Sequence, residues 1–117
     1  MRSRKAVIRE LDKVFGDYIK TRDKQCVTCP SKGPLDPSHL VRKARGNFLR
    51  WHPDNVHAQC RPCHMRHHNT SEAPLVMYAI DKLGKARVQA MQVEAHMVTH
   101  WKTYQLEEMI RYWRGKA

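Results

Sequence analysis

The sequence predicts a small α+β fold, with a cysteine-rich core of short strands and turns between helical segments at both ends. Three observations predict it. Apolar residues recur at helical spacing over residues 5–20 and again over 71–115. Pro and Gly interrupt the sequence between residues 30 and 53, which favours turns and short strands. Four cysteines form two C-x-x-C pairs, and the 117 residues are predicted to form a single domain, 1–117.

The N-terminal segment is predicted to be an amphipathic helix over residues 5–20. Its apolar residues recur at intervals of three and four positions, as the buried face of a helix requires. These residues are Val7, Ile8, Leu11, Val14, Phe15, Tyr18 and Ile19.

The predicted core spans residues 26–69 and contains two strands followed by a short helix. We expect strands near residues 36–41 and 54–59, joined by a basic loop, and a helix over 61–68. Pro62 suits the first turn of this helix, where its missing N–H group costs nothing.

The C-terminal segment, residues 71–115, is predicted to be helical. Ser71 or Thr70 is the expected N-cap of its first helix, Gly84 its end, and Thr103 the N-cap of the last helix. The expected inward residues are Leu75, Val76, Ala79, Ile80, Leu83, Val88, Met91, Ala95, Val98, Leu106, Met109, Ile110 and Trp113.

The charge of the chain predicts a polyanionic partner. Its net charge is +11 with neutral histidines, and such a balance favours nucleic acid. A membrane is not expected, since apolar runs are only a few residues long and no stretch has a basic face opposite a Trp/Leu-rich one. The N-terminus lacks a secretory signal, so a cytoplasmic location is expected.

The four cysteines predict a structural zinc site. Cys26 and Cys29 form one C-x-x-C pair, and Cys60 and Cys63 form the other. Each pair can give two thiolates to one tetrahedral ion, which would join the start of the core to its end. Disulfides are not expected in a protein without a secretion signal. A thiol redox pair is the alternative, although that chemistry needs only one C-x-x-C pair.

A second group of polar residues follows the predicted strands and helix. His39 closes the first strand, and Asn55 lies sixteen residues later, at the start of the second. His64 directly follows the last cysteine, and His68 lies four residues beyond it, on the same helical face. Asp36 precedes His39 by three positions.

This pattern resembles the His–Asn–His (ββα-metal) nuclease superfamily. Within it, the chain looks most like the phage NinG (Rap) recombination nucleases. The shared features are D-x-x-H at Asp36–His39, the stretch Arg50–Cys60, and a Trp before the last helix, Trp101. The resemblance implies a ββα-metal core and a metal-dependent DNA endonuclease of phage or bacterial origin. It also suggests recombination intermediates as the substrates.

Chemistry and resemblance together assign roles to this group. Imidazole titrates near neutral pH, so His39 is the expected general base. Asn55 is expected to fix the loop that orients His39, although a turn residue is its simpler interpretation. Asp36, His64 and His68 are expected to bind a catalytic divalent metal, Mg²⁺ or Mn²⁺, with Ni²⁺, Co²⁺ or Zn²⁺ as further candidates. His67 is a weaker candidate ligand.

Two residues depart from the family pattern. Ser38 stands directly before His39, where many members have an acidic residue or a second His. His64 stands where NinG-like proteins tend to have Asn, and it matches the broader superfamily instead.

A single active site of this kind cuts one strand in each binding event, so the chain is expected to nick DNA. It is expected to be a monomer or a homodimer.

The DNA contacts are expected to be made through phosphates. The candidate residues are Arg42, Lys43, Arg45, Arg50 and Arg66. Such contacts give affinity without sequence information. The alternative function is a non-catalytic, zinc-stapled module that binds nucleic acid through the same basic loop.

Overall fold

The fold consists of two strands and five helices in the part of the chain that a computed structural model describes, residues 2–42 and 48–116. In chain order these are α1 (Arg4–Asp23), β1 (Leu35–His39), β2 (Val56–Cys60), α2 (Arg61–Asn69), α3 (Ala73–Leu83), α4 (Lys85–Glu94) and α5 (Thr103–Arg114). The α+β class predicted from the sequence is confirmed.

The two strands form an antiparallel ladder. Leu35 pairs with Cys60 at one end, and His39 pairs with Val56 at the other. The first strand ends at His39, two residues before the predicted end, and the second begins at Val56, two residues after its predicted start. One further hydrogen bond continues the ladder in register, from Leu40 N–H to the Asn55 carbonyl at 2.7 Å. Helix α2 begins directly after β2 with Pro62 in its first turn, as predicted.

Helix α1 is longer than predicted at its C-terminal end, where Lys24 caps it in the left-handed conformation with φ of 68°. All seven of its predicted apolar residues belong to the main core or pack against it. Helix α5 covers the same core with Leu106, Met109, Ile110 and Trp113. The sheet is close to α1 as well: a Cβ on Gly16 would lie 3.1 Å from Pro37 Cγ, so glycine permits this approach.

Helices α3 and α4 form a hairpin over a second core. Gly84 ends α3 as predicted, with φ of 90°, a conformation that glycine adopts without strain. Leu75, Ala79, Val88 and Met91 are buried there against Leu40 and Leu49.

Four details of the C-terminal prediction are wrong. Ile80, predicted to point inward, is 37% exposed, because Leu75 and Ala79 form the buried face of α3. Val98 lies beyond α4 and is 81% exposed, because the helix ends at Glu94 and the helical stripe does not continue. Lys102, and not Thr103, is the N-cap of α5. Glu72 occupies the N-cap position of α3, while the Ser71 hydroxyl accepts a hydrogen bond from Ala73 N–H at 3.1 Å. No helix within the described ranges is long and apolar enough to cross a membrane.

Candidate functional site

The four cysteines converge at the Leu35–Cys60 end of the sheet. Their sulfur atoms all lie within 4.8 Å of one another, and the Cys29 and Cys60 sulfurs are 3.6 Å apart. Four thiolates at about 2.3 Å from one zinc stand roughly 3.8 Å apart, so the cluster has the size of a tetrahedral zinc site. In the part of the chain that is described, no other group of three or more His, Cys, Asp or Glu residues has metal-binding geometry.

The protonation of the cysteines also favours a cation. Burial opposes ionisation of Cys26, but hydrogen bonds from Thr28 and the Cys60 backbone lower the pKa of its thiol to about 6. The Cys63 backbone N–H favours the Cys60 thiolate, yet burial and the other three sulfurs raise the pKa of Cys60 to about 12. Burial opposes ionisation of Cys63 too, but hydrogen bonds from Thr28 and Arg66 lower the pKa of its thiol. Against the backbone hydrogen bond from Ser31, the neighbouring sulfurs raise the pKa of Cys29. Two of the sulfurs thus ionise readily and the other two resist ionisation, which is the situation that a bound divalent ion resolves.

Arg66 lies beside this cluster. Its guanidinium donates to the Cys63 sulfur at 3.2 Å. This contact places positive charge next to a cysteine site that keeps a net negative charge after binding one divalent ion. The predicted phosphate contact of Arg66 stays a prediction, and its position lies on the cysteine side of α2.

A cleft of about 260 Å³ lies at the opposite end of the sheet, between α1, β1 and α2. Five of the predicted site residues line it: His39, Arg42, Arg50, His64 and His68. A larger cavity of about 350 Å³ lies between Leu40–Arg42 and the α3–α4 hairpin. Its lining includes one imidazole, His96, whereas three histidines line the smaller cleft, so the smaller cleft is the better candidate for chemistry.

His39 enters the cleft from the last position of β1. Its Nε2 lies 3.0 Å from the backbone carbonyl oxygen of Arg50. A carbonyl only accepts hydrogen bonds, so Nε2 carries the proton and Nδ1 is the basic nitrogen of the neutral ring. The backbone of His39 is held too, because the His67 Nε2–H donates to its carbonyl at 3.1 Å.

Asn55 is fully buried and bridges the two sides of the loop between the strands. Its Oδ1 accepts from Val41 N–H at 2.7 Å, and its Nδ2 donates to the carbonyls of Val41 and Leu49, both at 3.1 Å. Three hydrogen bonds from one buried amide fix both ends of the segment that follows His39. The role of Asn55 in orienting His39 stays a prediction.

His64 and His68 face each other on α2. Their Nε2 atoms are 3.1 Å apart, as the i,i+4 spacing predicts. Asp36 Oδ2 lies 3.1 Å from Nδ1 of His64, on the opposite side of that ring. The carboxylate therefore holds His64 as the Nδ1–H tautomer, and the lone pair of Nε2 points toward His68.

Asp36, in β1, accepts hydrogen bonds from His64 and from Arg61. Burial raises the pKa of its carboxyl group, but the hydrogen bonds from His64 and Arg61 outweigh burial and lower that pKa below its usual value. Asp36 is thus ionised at neutral pH and sits behind His64, at the position of a group that orients a ligand.

His67 lies on a different face of α2 from His64 and His68. It is buried, and its Nε2 contacts the His39 carbonyl instead of the cleft. The histidines therefore lie on two sides of the helix: His64 and His68 face the cleft, and His67 packs against β1.

The basic residues near the cleft have protein partners. Arg42 donates to the His68 carbonyl at 2.7 Å. Arg50 forms a paired contact with Asp12 of α1, at 3.1 Å from Nε and 2.6 Å from Nη2. Sequence reasoning missed Asp12, because nothing in the helical pattern of α1 distinguishes it from a solvated carboxylate. Lys43 and Arg45 lie outside the described residues, so their predicted role stays a prediction.

Comparison with protein-family models gives a match over the whole chain. The family model described as bacteriophage lambda NinG protein matches residues 1–117. Searches of curated proteins and of solved structures return no match to this chain. The family match spans the cysteine cluster, the cleft and the C-terminal helices together, and it confirms the NinG part of the predicted resemblance. The chain belongs to the phage lambda NinG family.

Proposed function

We propose that this protein is a metal-dependent DNA endonuclease of the His–Asn–His type. The observation that carries the proposal is the convergence of His39, His64 and His68 on one cleft that Arg42 and Arg50 also line. The order of two antiparallel strands and a helix, with Asn55 fixing the loop between the strands, supports it. The NinG family match supports a phage recombination setting, with branched DNA as the substrate to test first.

His39 acts as the general base in this proposal. The Arg50 carbonyl holds the proton on Nε2, which leaves Nδ1 as the nitrogen that takes a proton from water. An imidazole is half protonated near neutral pH, where a base has both driving force and availability. General bases contribute roughly 10²- to 10⁴-fold to such rates.

His64 and His68 are the residues that would hold the catalytic metal. Their Nε2 separation of 3.1 Å suits two nitrogens on one ion, since imidazole binds such ions at about 2.1 Å. Two imidazole ligands favour first-row metals such as Mn²⁺, Co²⁺, Ni²⁺ or Zn²⁺ over Mg²⁺. When bound, a divalent ion stabilises the charge of the phosphate transition state and of the leaving oxygen.

Asp36 takes a supporting role here instead of the direct ligand role expected from the sequence. Its contact with His64 Nδ1 fixes the tautomer and raises the basicity of the ligand nitrogen. Arg61 holds the same carboxylate oxygen at 3.1 Å. Asp36, itself held by Arg61, therefore keeps the His64 ring oriented before any metal binds.

Phosphate binding is assigned to the basic rim. Arg42 lines the cleft beside His68, and Arg50 lines it beside His39. The net charge of +11 supplies affinity that falls with salt and that does not depend on base sequence. By family resemblance the products are 5′-phosphate and 3′-hydroxyl ends.

The test is cleavage of supercoiled plasmid and of a four-way DNA junction with Mn²⁺ or Mg²⁺, with and without EDTA. Three proteins are compared: wild type, His39→Ala, and His100→Ala as a matched control at an exposed position outside the helices. We expect metal-dependent nicking that falls at least about 100-fold in His39→Ala and is unchanged in His100→Ala.

Two outcomes would contradict the proposal. Cleavage that persists in His39→Ala would remove His39 as the base. DNA binding without cleavage of either substrate under any metal would favour the non-catalytic zinc-stapled module, a function that the cysteine cluster and the positive charge alone support.

A further inference from the structure

The turn that follows the loop is anchored to α1 by one carboxylate. Asp12 Oδ1 accepts from Arg50 Nε at 3.1 Å and from the Trp51 indole N–H at 2.9 Å. Its other oxygen accepts from Arg50 Nη2 at 2.6 Å. Asp12 thus holds two consecutive residues of the turn through three hydrogen bonds, two of them to a charged group, which are the stronger kind.

Arg50 links this anchor to the candidate base. Its guanidinium is held by Asp12, and its backbone carbonyl accepts the hydrogen bond from His39 Nε2. The guanidinium also stacks over the Trp51 ring, with 5.1 Å between its central carbon and the ring centroid. Both ends of Arg50 are therefore fixed, and a shift of its backbone would move the acceptor on which the His39 tautomer depends.

The side-chain end of Arg50 serves the cleft as well. Asp12 takes two of the five guanidinium N–H groups. Arg50 lines the cleft together with Asp12 and His39, and its side chain is only 20% exposed. A guanidinium held in a fixed plane by one carboxylate is set to receive a phosphate oxygen on its remaining donors.

The contacts of Asp12 are more than a purely structural role in joining α1 to the turn would require. Apolar packing already joins α1 to the turn, because Leu11, Phe15 and Trp51 are buried in one cluster. A carboxylate that is 34% exposed adds little to that packing. What it adds is orientation of the carbonyl and guanidinium of Arg50.

We propose that Asp12 is a positioning residue for the candidate nuclease centre: it fixes Arg50, whose carbonyl holds His39 in the Nε2–H tautomer and whose guanidinium faces the cleft. The inference rests on the proposed function for its kinetic consequences. It makes α1, which lies outside the two-strand and helix core, a functional part of the site.

The kinetic test compares Asp12→Asn with Asp17→Asn, a carboxylate on the same helix that pairs with Lys13 and Lys20. Asp12→Asn keeps the shape of the side chain and loses its charge. We expect kcat to fall roughly 10- to 100-fold, the loss typical of a misplaced catalytic group, with KM for DNA changed much less. Asp17→Asn should match wild type in both.

A second readout is independent of cleavage. Nitrogen-15 NMR of the zinc-loaded protein at about pH 8, where imidazole is neutral, reports which ring nitrogen of His39 carries the proton. The His39 signals are identified by their loss in His39→Gln. We expect the Nε2–H tautomer in wild type and in Asp17→Asn, and a mixture of the two tautomers in Asp12→Asn.

The outcomes separate the two proposals. Wild-type tautomer and wild-type kcat in a folded Asp12→Asn protein would overturn the positioning role. A wild type that cuts no DNA would overturn the proposed function, while the tautomer comparison would still test Asp12. If Asp12→Asn fails to fold, Trp51→Phe removes the indole donor and keeps an aromatic ring beside Arg50, and unchanged kcat and tautomer in that variant would count against the anchor.

Discussion

The two ends of the β1–β2 ladder bring together different kinds of side chain. At the Leu35–Cys60 end, four sulfurs face one another within 4.8 Å, a closed arrangement in which every donor can bind the same ion. At the His39–Val56 end, imidazoles and arginines line a cleft of about 260 Å³ that can admit another molecule. A closed site stabilises a fold, whereas an open site leaves room for substrate.

Helix α2 contributes side chains to both ends of the ladder, because different residues face different sides of the helix. Cys63 and His67 are four residues apart on its buried face, the first in the cysteine cluster and the second against the His39 carbonyl. His64 and His68 are four residues apart on the cleft face. Adjacent residues of one short helix therefore belong to different sites, which makes neighbouring substitutions a sharp test of the comparison.

The largest expected effect is the loss of zinc from the closed end. Cys63→Ser leaves three thiolates, and we expect the protein to lose stoichiometric zinc and most of its cooperative unfolding transition. Zinc binding contributes free energy directly to folding, and a small domain has only about 5–15 kcal/mol of stability in total. Metal content and thermal unfolding by circular dichroism measure both.

His64→Ala, one residue along the helix, is the matched control for Cys63→Ser. We expect it to keep its zinc and to unfold near the wild-type temperature, because its side chain faces the cleft. Equal loss of zinc in the two variants would show that the ends of the ladder are one metal system, contrary to the comparison.

The second prediction ranks residues of the open end by how much each contributes to Mn²⁺ binding. His68→Ala removes a proposed ligand and should abolish saturable Mn²⁺ binding in the cleft, measured from free Mn²⁺ by electron paramagnetic resonance. Asp36→Asn removes only the group behind His64, so its affinity should fall roughly 10- to 100-fold, as for other supporting residues. Asp81→Asn, at an exposed position of α3, should bind as wild type does.

The reverse order of Mn²⁺ affinities would change the role assigned to Asp36. If Asp36→Asn lost Mn²⁺ binding completely and His68→Ala retained it, the carboxylate would be a direct ligand, the role expected from the sequence. The zinc content of all three variants should stay at the wild-type value, since none of them alters a cysteine.

The two ends also differ in how far the sequence predicted them. The C-x-x-C spacing identifies all four cysteines of the closed end, because the two members of each pair are only three residues apart and the strand pairing brings the pairs together. His64 and His68 lie side by side on α2 for a similar reason, because residues four apart on a helix share a face. Contacts between residues that are close in the chain are the part of a site that can be predicted from one sequence.

The parts that the sequence did not reveal depend on distant contacts. Asp12 lies 38 residues from Arg50, and only the packing of α1 against the turn brings them together. The acceptor for His39 is a backbone carbonyl, which no residue type signals. The place of Asp36 behind His64, and of Arg66 beside Cys63, depends likewise on the way that strand and helix meet.

The third prediction concerns the residue that joins the loop to the open end. Asn55→Ala leaves Val41 N–H and the carbonyls of Val41 and Leu49 without their buried partner. We expect the free energy of unfolding to fall by about 2–3 kcal/mol, the range for unsatisfied buried groups. Urea denaturation measures this loss. Asn69→Ala, at the exposed end of α2, is the control and should change stability little. A loss below that of the control would mean that the loop holds His39 without Asn55.

The smallest expected effect is a dependence of stability on pH that comes from His57 in β2. Burial lowers the pKa of His57, and the nearby Arg22 charge adds to this, against the opposing hydrogen bond to the Asp54 carbonyl. Its folded pKa lies below the unfolded value of about 6.5. The unfolded chain therefore takes up more protons as pH falls through this region, and stability that is complete above about pH 6.5 declines below it.

His57→Gln tests this dependence, because glutamine keeps an N–H donor and does not titrate. The variant should lose less stability than wild type between about pH 7.5 and 5.5, with free zinc held constant so that the cysteine site contributes equally to both. His100→Gln is the control and should follow the wild-type slope. An identical slope in His57→Gln would place the acid sensitivity in other groups: His52, whose pKa burial also lowers, or the cysteine cluster, where protons compete with zinc for the thiolates. His52→Gln would separate these two, because only a contribution from His52 is lost in that variant.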